Sequence, residues 1–149
     1  MLQEIPEGKW IAAFRRVFQL NGIGQGTAVA IVAESQSRPV LIQMCATALF
    51  DLGAEFSTVV LPTPPQSAPV PVRSTGASNA IQGKRHVVEA LKHVDVIADV
   101  TVEGLIHAEE WPEIEAAGTR LFTICNEHPE ILERTEPSAE LGPKVKRGI

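Results

Sequence analysis

The chain has 149 residues, 44% of them apolar and 21% charged, which fits one soluble globular domain able to bury about 70% of its unfolded surface. A net charge of -5, with Lys144-Val-Lys146-Arg147 as its only basic cluster, argues against a nucleic-acid surface. No apolar run approaches the roughly 18 residues of a membrane span, and the N-terminus lacks a signal-peptide pattern, so no membrane partner and a cytoplasmic location are expected.

Trp10, Ile11, Phe14, Val17 and Phe18 fall on one face of a helix from about Gly8 to Asn21, with Gly22 as a left-handed cap. Gly22-Ile-Gly24-Gln-Gly26 invites a dinucleotide-loop reading. However, these glycines precede the next strand, whereas a phosphate-cradling loop follows a strand and opens a helix, so a turn is expected. Thr27 to Ala33 is apolar on both faces, as a central buried strand must be. Ser35 or Ser37 is the expected N-cap of the next helix, with Pro39 in its first turn. Leu41, Met44, Cys45, Ala48, Leu49 and Leu52 form its buried stripe, and Gly53 closes it.

A second strand runs from Phe56 to Leu61, followed by Pro62 to Pro71, five prolines in ten residues. Such a loop is neither helix nor central strand. It is expected to contact a neighbouring subunit of a homo-oligomer. Asn79 with Gln82 resembles a capping box, which predicts a helix through about His93 with Ile81, Val88 and Leu91 inward. His86 and His93 on it read as solvated. Val94 to Val100 is a third apolar strand, breaking into Thr101, Val102, Glu103 and Gly104 and ending on His107. Trp111-Pro112 and Gly118 bracket a short helix. Leu121 to Cys125 is a fourth strand, with a short helix after Asn126-Glu-His-Pro129, and Pro143 to Ile149 reads as the start of one more.

Alternating strands and helices define an α/β domain. The expected architecture is a parallel, doubly wound sheet of about four strands, Rossmann- or flavodoxin-like, with helices on both faces. Ligands of such sheets bind beyond the carboxyl ends of the strands, where His107 and His128 both fall. Two histidines do not make a metal site, which needs at least three protein ligands. Glu103, Glu109, Glu110 and Glu127 are near in sequence, but spacing fixes no geometry for them. Cys45 and Cys125 read as buried, reduced core thiols. Glu34, Asp99 and Thr123 near strand ends suggest a receiver-type phosphorylation module. The paired acids after the first strand and the lysine after a fifth are missing.

Gly76-Ala-Ser-Asn-Ala-Ile-Gln-Gly83, Thr101-Val-Glu-Gly-Leu-Ile-His107 and Asn126-Glu-His-Pro-Glu-Ile-Leu-Glu-Arg134 together resemble the N-terminal half of 2,5-dihydroxypyridine 5,6-dioxygenases. These enzymes share a fold with thermophilic-type leucyl metallo-aminopeptidases. The resemblance implies a non-haem Fe(II) enzyme that opens a dihydroxylated pyridine ring with O2 in nicotinate-type degradation. It places the iron ligands in a C-terminal domain, so no residue of this chain is assigned as a metal ligand and no cofactor is expected on this chain alone. The 149 residues are then expected to be a fragment, a truncated form or half of a split enzyme, whose partner is that metal-binding domain or subunit. By the family pattern, Gly104, Leu105 and Ile106 would face a small aromatic substrate, and His107 would be the catalytic proton-relaying group. Alternatives are the N-terminal domain of a metallo-aminopeptidase and a stand-alone, non-enzymatic α/β binding or assembly module.

Overall fold

The computed structural model describes residues 4–65 and 77–134. The elements are α1 (Gly8–Leu20), β1 (Ala28–Glu34), α2 (Pro39–Asp51), β2 (Glu55–Leu61), α3 (Arg85–Leu91), β3 (Val96–Asp99), α4 (Trp111–Ala116), β4 (Arg120–Thr123) and α5 (Pro129–Arg134). The strands form one parallel sheet in the order β2-β1-β3-β4. The α/β class, the parallel pairing and the strand count expected from the sequence are those observed.

The strands' two-residue period divides the core. Val29, Ile31 and Ala33 of β1, with Val96 and Ala98 of β3, pack against Phe14 and Phe18 of α1 and Leu41, Met44, Cys45 and Leu49 of α2. Ala30, Val32 and Ile97 face the other way, onto Val87, Val88 and Leu91 of α3, Trp111 and Ile114 of α4, and Leu105. Phe18 meets Phe14 and Phe122 edge-on, at centroid separations of 6.3 and 5.4 Å. Helix α1 packs on α2 and α5, and α3 on α4.

Helices α1 and α2 end in the same way. Gly22 (φ 75°) and Gly53 (φ 71°) reverse the chain, so that Ile23 N–H bonds Phe18 O at 3.0 Å and Ala54 N–H bonds Leu49 O at 3.1 Å. Both are Schellman caps, and both need the left-handed residue that glycine supplies at least cost. The Gly22–Gly26 stretch is a turn, closed by Thr27 N–H on Gly24 O at 3.1 Å.

Four expectations need correction. The helix predicted from Asn79 begins only at Arg85, because Gly83 (φ 72°) turns the chain first. Gln82 bonds Asn79 through its backbone, N–H to O at 3.1 Å, and Ile81 is buried from a turn. Neither Ser35 nor Ser37 caps α2: Arg38 occupies the N-cap without a side-chain bond, and Ser37 is used elsewhere. Strand β4 stops at Thr123, so Cys125 lies beyond it at φ 57°. Cys125 is half-buried, where Cys45 is fully buried. The proline-rich loop beyond residue 65, Lys144–Arg147 and the helix expected from Pro143 lie outside the described residues.

Phe14, fully buried between α2 and the sheet, is the sharpest probe of the larger core face. Phe14→Ala is expected to lower unfolding stability by about 3–5 kcal/mol, read as a shift in the urea midpoint at constant slope.

Candidate functional site at the carboxyl edge of the sheet

Strand β1 is followed by β2 on one side and β3 is followed by β4 on the other, so the topological switch lies between β1 and β3. Both strands are apolar until their last residue, which is a carboxylate: Glu34 in β1 and Asp99 in β3. Glu34 is 3% exposed and Asp99 0%. A buried carboxylate is tolerated only where donors surround it.

Those donors come from the loop after β3. Asp99 Oδ1 accepts the Thr101 N–H at 3.0 Å and the Thr101 hydroxyl at 2.6 Å, and Asp99 Oδ2 accepts the Leu105 N–H at 2.7 Å. Thr101 Oγ1 in turn accepts the Gly104 N–H at 3.1 Å. Glu34 Oε2 accepts the Val102 N–H. Ser37 closes the gap between the two strands, its hydroxyl accepting from Glu34 N–H at 2.8 Å and donating to Val100 O at 2.6 Å. Burial pushes the Asp99 carboxyl above the usual carboxylate range. The Thr101 and Leu105 donors oppose that push, and the Glu34 charge adds to it.

The loop therefore carries its residues to different places. Gly104 is buried at φ 89°, where a Cβ would lie 3.1 Å from Cys125 Sγ and 3.7 Å from Asp99 Oδ2. Leu105, expected to face a substrate, is instead fully buried in the core with Trp111 and Ile114, so its side chain anchors the loop. Leu105 and Ala108, 0% and 4% exposed, end a turn closed by Ala108 N–H on Leu105 O at 2.9 Å. Ile106 and His107 are its two corner residues, and both face solvent, Ile106 at 53% exposure.

The three stretches singled out in the sequence converge on this edge. Ser78 N–H bonds Gly104 O at 2.7 Å. Asn126 Oδ1 accepts the Arg38 N–H at 2.8 Å and ties the chain after β4 to the start of α2. His128 is a helix-start residue, as its place before Pro129 suggests: Nδ1 accepts the Glu130 N–H at 3.2 Å, and the ring packs edge-on to Trp10 at 5.2 Å. A cavity of about 240 Å³ lies beside it, lined among others by Phe14, Leu41, Ile124 and Leu132. His86 and His93 are exposed. Sequence reasoning noted Glu34 and Asp99 but missed their work. The available signal was a single acid closing each of two otherwise apolar strands.

Among the described residues no group of three His, Cys, Asp or Glu side chains is placed to hold a metal ion. No helix among them is long and apolar enough to cross a membrane.

A parallel sheet with helices on both faces and a structured loop at its switch point is, by class, an open-sheet α/β domain. The sequence matches the family described as NicX, 2,5-dihydroxypyridine 5,6-dioxygenase, over residues 9–149, and the chain belongs to that family. Among solved structures, it is similar to the 2,5-dihydroxypyridine dioxygenase of Pseudomonas putida KT2440, with a TM-score of 0.79 and 24% identity over 91% of this chain. The chain spans 39% of that protein's length. A more distant likeness, with a TM-score of 0.51 and 15% identity, covers 87% of this chain and 20% of Klebsiella oxytoca NpsA, solved with 3-hydroxyanthranilyl-AMSN. No curated protein matches the chain.

Two outcomes test this geometry. Gly104→Ala is expected to destabilise the domain by about 1–3 kcal/mol in thermal unfolding, because an alanine at that φ is strained even where space is made. Adding Cys125→Ala should recover only part of the loss. The two thiols should also separate by reactivity. Burial, with the charges of Asp99, Glu127 and Glu103, pushes Cys125 up to about 11, and burial raises Cys45 further. Alkylation followed by mass spectrometry should find both thiols slow at neutral pH. Cys125 should speed up as the pH nears about 11, and Cys45 should react only on unfolding.

Proposed function

We propose that this chain is the N-terminal domain of an Fe(II)-dependent dioxygenase that opens the ring of 2,5-dihydroxypyridine in nicotinate-type degradation, and that it forms the roof of the substrate site. The observation that carries the reading is the turn Leu105–Ala108, which presents an apolar and an imidazole side chain side by side at the carboxyl edge of the sheet. Membership of the family supports the substrate class.

In this reading Ile106 lies on the face of the ring. His107 hydrogen-bonds a ring hydroxyl and moves its proton, a task suited to imidazole near neutral pH. Gly104 and Leu105 contribute from beneath: Gly104 lets the loop fold back over Asp99, and Leu105 pins the turn to the core. Iron and its ligands belong to the remainder of the enzyme, a C-terminal domain or subunit. The edge described here supplies substrate contact and proton transfer.

His107→Ala in the full-length enzyme is expected to lower turnover of 2,5-dihydroxypyridine by about 10²- to 10⁴-fold with iron content unchanged, followed by O2 uptake and metal analysis. Unchanged turnover would remove His107 from the mechanism.

A further inference from the structure

We propose that Asp99 is a positioning residue for this site: its buried carboxylate, through Thr101 and the Leu105 amide, fixes the turn that aims Ile106 and His107. The inference rests on the reading of His107 as the substrate-facing group.

Asp99 is the last residue of β3 and is held there from both flanks. Its backbone carbonyl accepts the Ile124 and Cys125 N–H groups at 2.9 Å each, so its position belongs to the sheet. Its side chain then reaches into the loop and takes three donors, the last on Leu105, immediately before Ile106. His107 follows within the same turn, whose ends, Leu105 and Ala108, are both buried.

Glu34 holds only the Val102 amide among these bonds, and Ser78 holds the Gly104 carbonyl, both upstream of Leu105. Thr101 is the relay: its hydroxyl donates to Asp99 and accepts from Gly104, a pair of bonds that serine can make and valine cannot. Asparagine at position 99 keeps the shape and one acceptor oxygen. It cannot accept the donors at both Oδ1 and Oδ2.

The test uses the full-length enzyme with 2,5-dihydroxypyridine and O2, in a double-mutant cycle with the NMR signals of the His107 imidazole as a second readout. Asp99→Asn and Thr101→Val are each expected to lower kcat by about 10- to 100-fold with KM and iron content little changed, as misplacing a group by an ångström does. Both should shift the His107 imidazole resonances, and Thr101→Ser should restore kcat and resonances together. In a His107→Ala background, Asp99→Asn should cost nothing further. Wild-type turnover in Asp99→Asn, or an equal loss with and without His107, would overturn the inference. A folded wild-type enzyme inactive on 2,5-dihydroxypyridine would defeat the functional reading instead. The positioning claim would then stand or fall on whether Asp99→Asn moves the His107 signals.

Discussion

The Asp99 carboxylate, with no exposure to solvent, is the constraint on which the carboxyl edge depends. Taking a carboxylate out of water is costly, and the cost is offset only where charge-assisted hydrogen bonds replace the lost hydration. Here the replacements are the amides and hydroxyl of the loop that follows, so the loop's conformation and the acid's burial support each other. Removing the acid for an apolar side chain would not relieve the cost. It would leave the Thr101 and Leu105 amides without their acceptor, at about 1–3 kcal/mol each.

That device works because the sheet beneath it is well fixed. Schellman caps stop α1 and α2 in one conformation each, and the alternating faces of β1 and β3 bury Phe14, Phe18, Met44 and Leu49 on one side and Val88, Leu91 and Ile114 on the other. Strand β3 is only four residues long, yet it lies between β1 and β4. Its last residue is thus a stable point from which to build outward. Local order at the edge is inherited from the non-local pairing below it.

Much of this was legible in the sequence. The apolar runs of β1 and β3, the stripe of α2, and Gly22 and Gly53 as helix ends rest on short-range rules, and each is found in place. What failed was also local in appearance. Asn79 and Gln82 have capping-box spacing, but Gly83 intervenes, and the backbone reversal it permits outweighs a possible side-chain cap. Ser37 looks like an N-cap, yet its oxygen accepts the Glu34 N–H instead, and its hydroxyl donates to the Val100 carbonyl, 63 residues away. The partners of the Asp99 side chain lie within six residues of it, but nothing in the letters says which amides a buried acid will collect. That depends on where the chain turns, and the turn depends on Leu105 finding the core.

The loop after β3 is clamped at more than one place, and this bears on what it can do. Asp99 and Glu34 hold its start, Ser78 holds Gly104, and beyond His107 the chain enters α4 through the buried Trp111. Helix α4 is braced to α3 by Glu113, which pairs with both Arg85 and Lys92, while Glu89 joins the same two cations. These pairs lie at the surface, with Lys92 and Glu113 half-buried, and a surface pair contributes little alone. Their effect is to fix the far end of a segment whose near end is fixed by a buried acid. Such a segment does not need to be ordered by its ligand, so binding energy is not spent on folding it. In the proposed reading, a loop held at both ends in this way would keep the His107 imidazole within the fraction of an ångström that proton transfer demands. The sequence holds this loop in place by ending two apolar strands on acids and following the second with threonine, glycine and leucine.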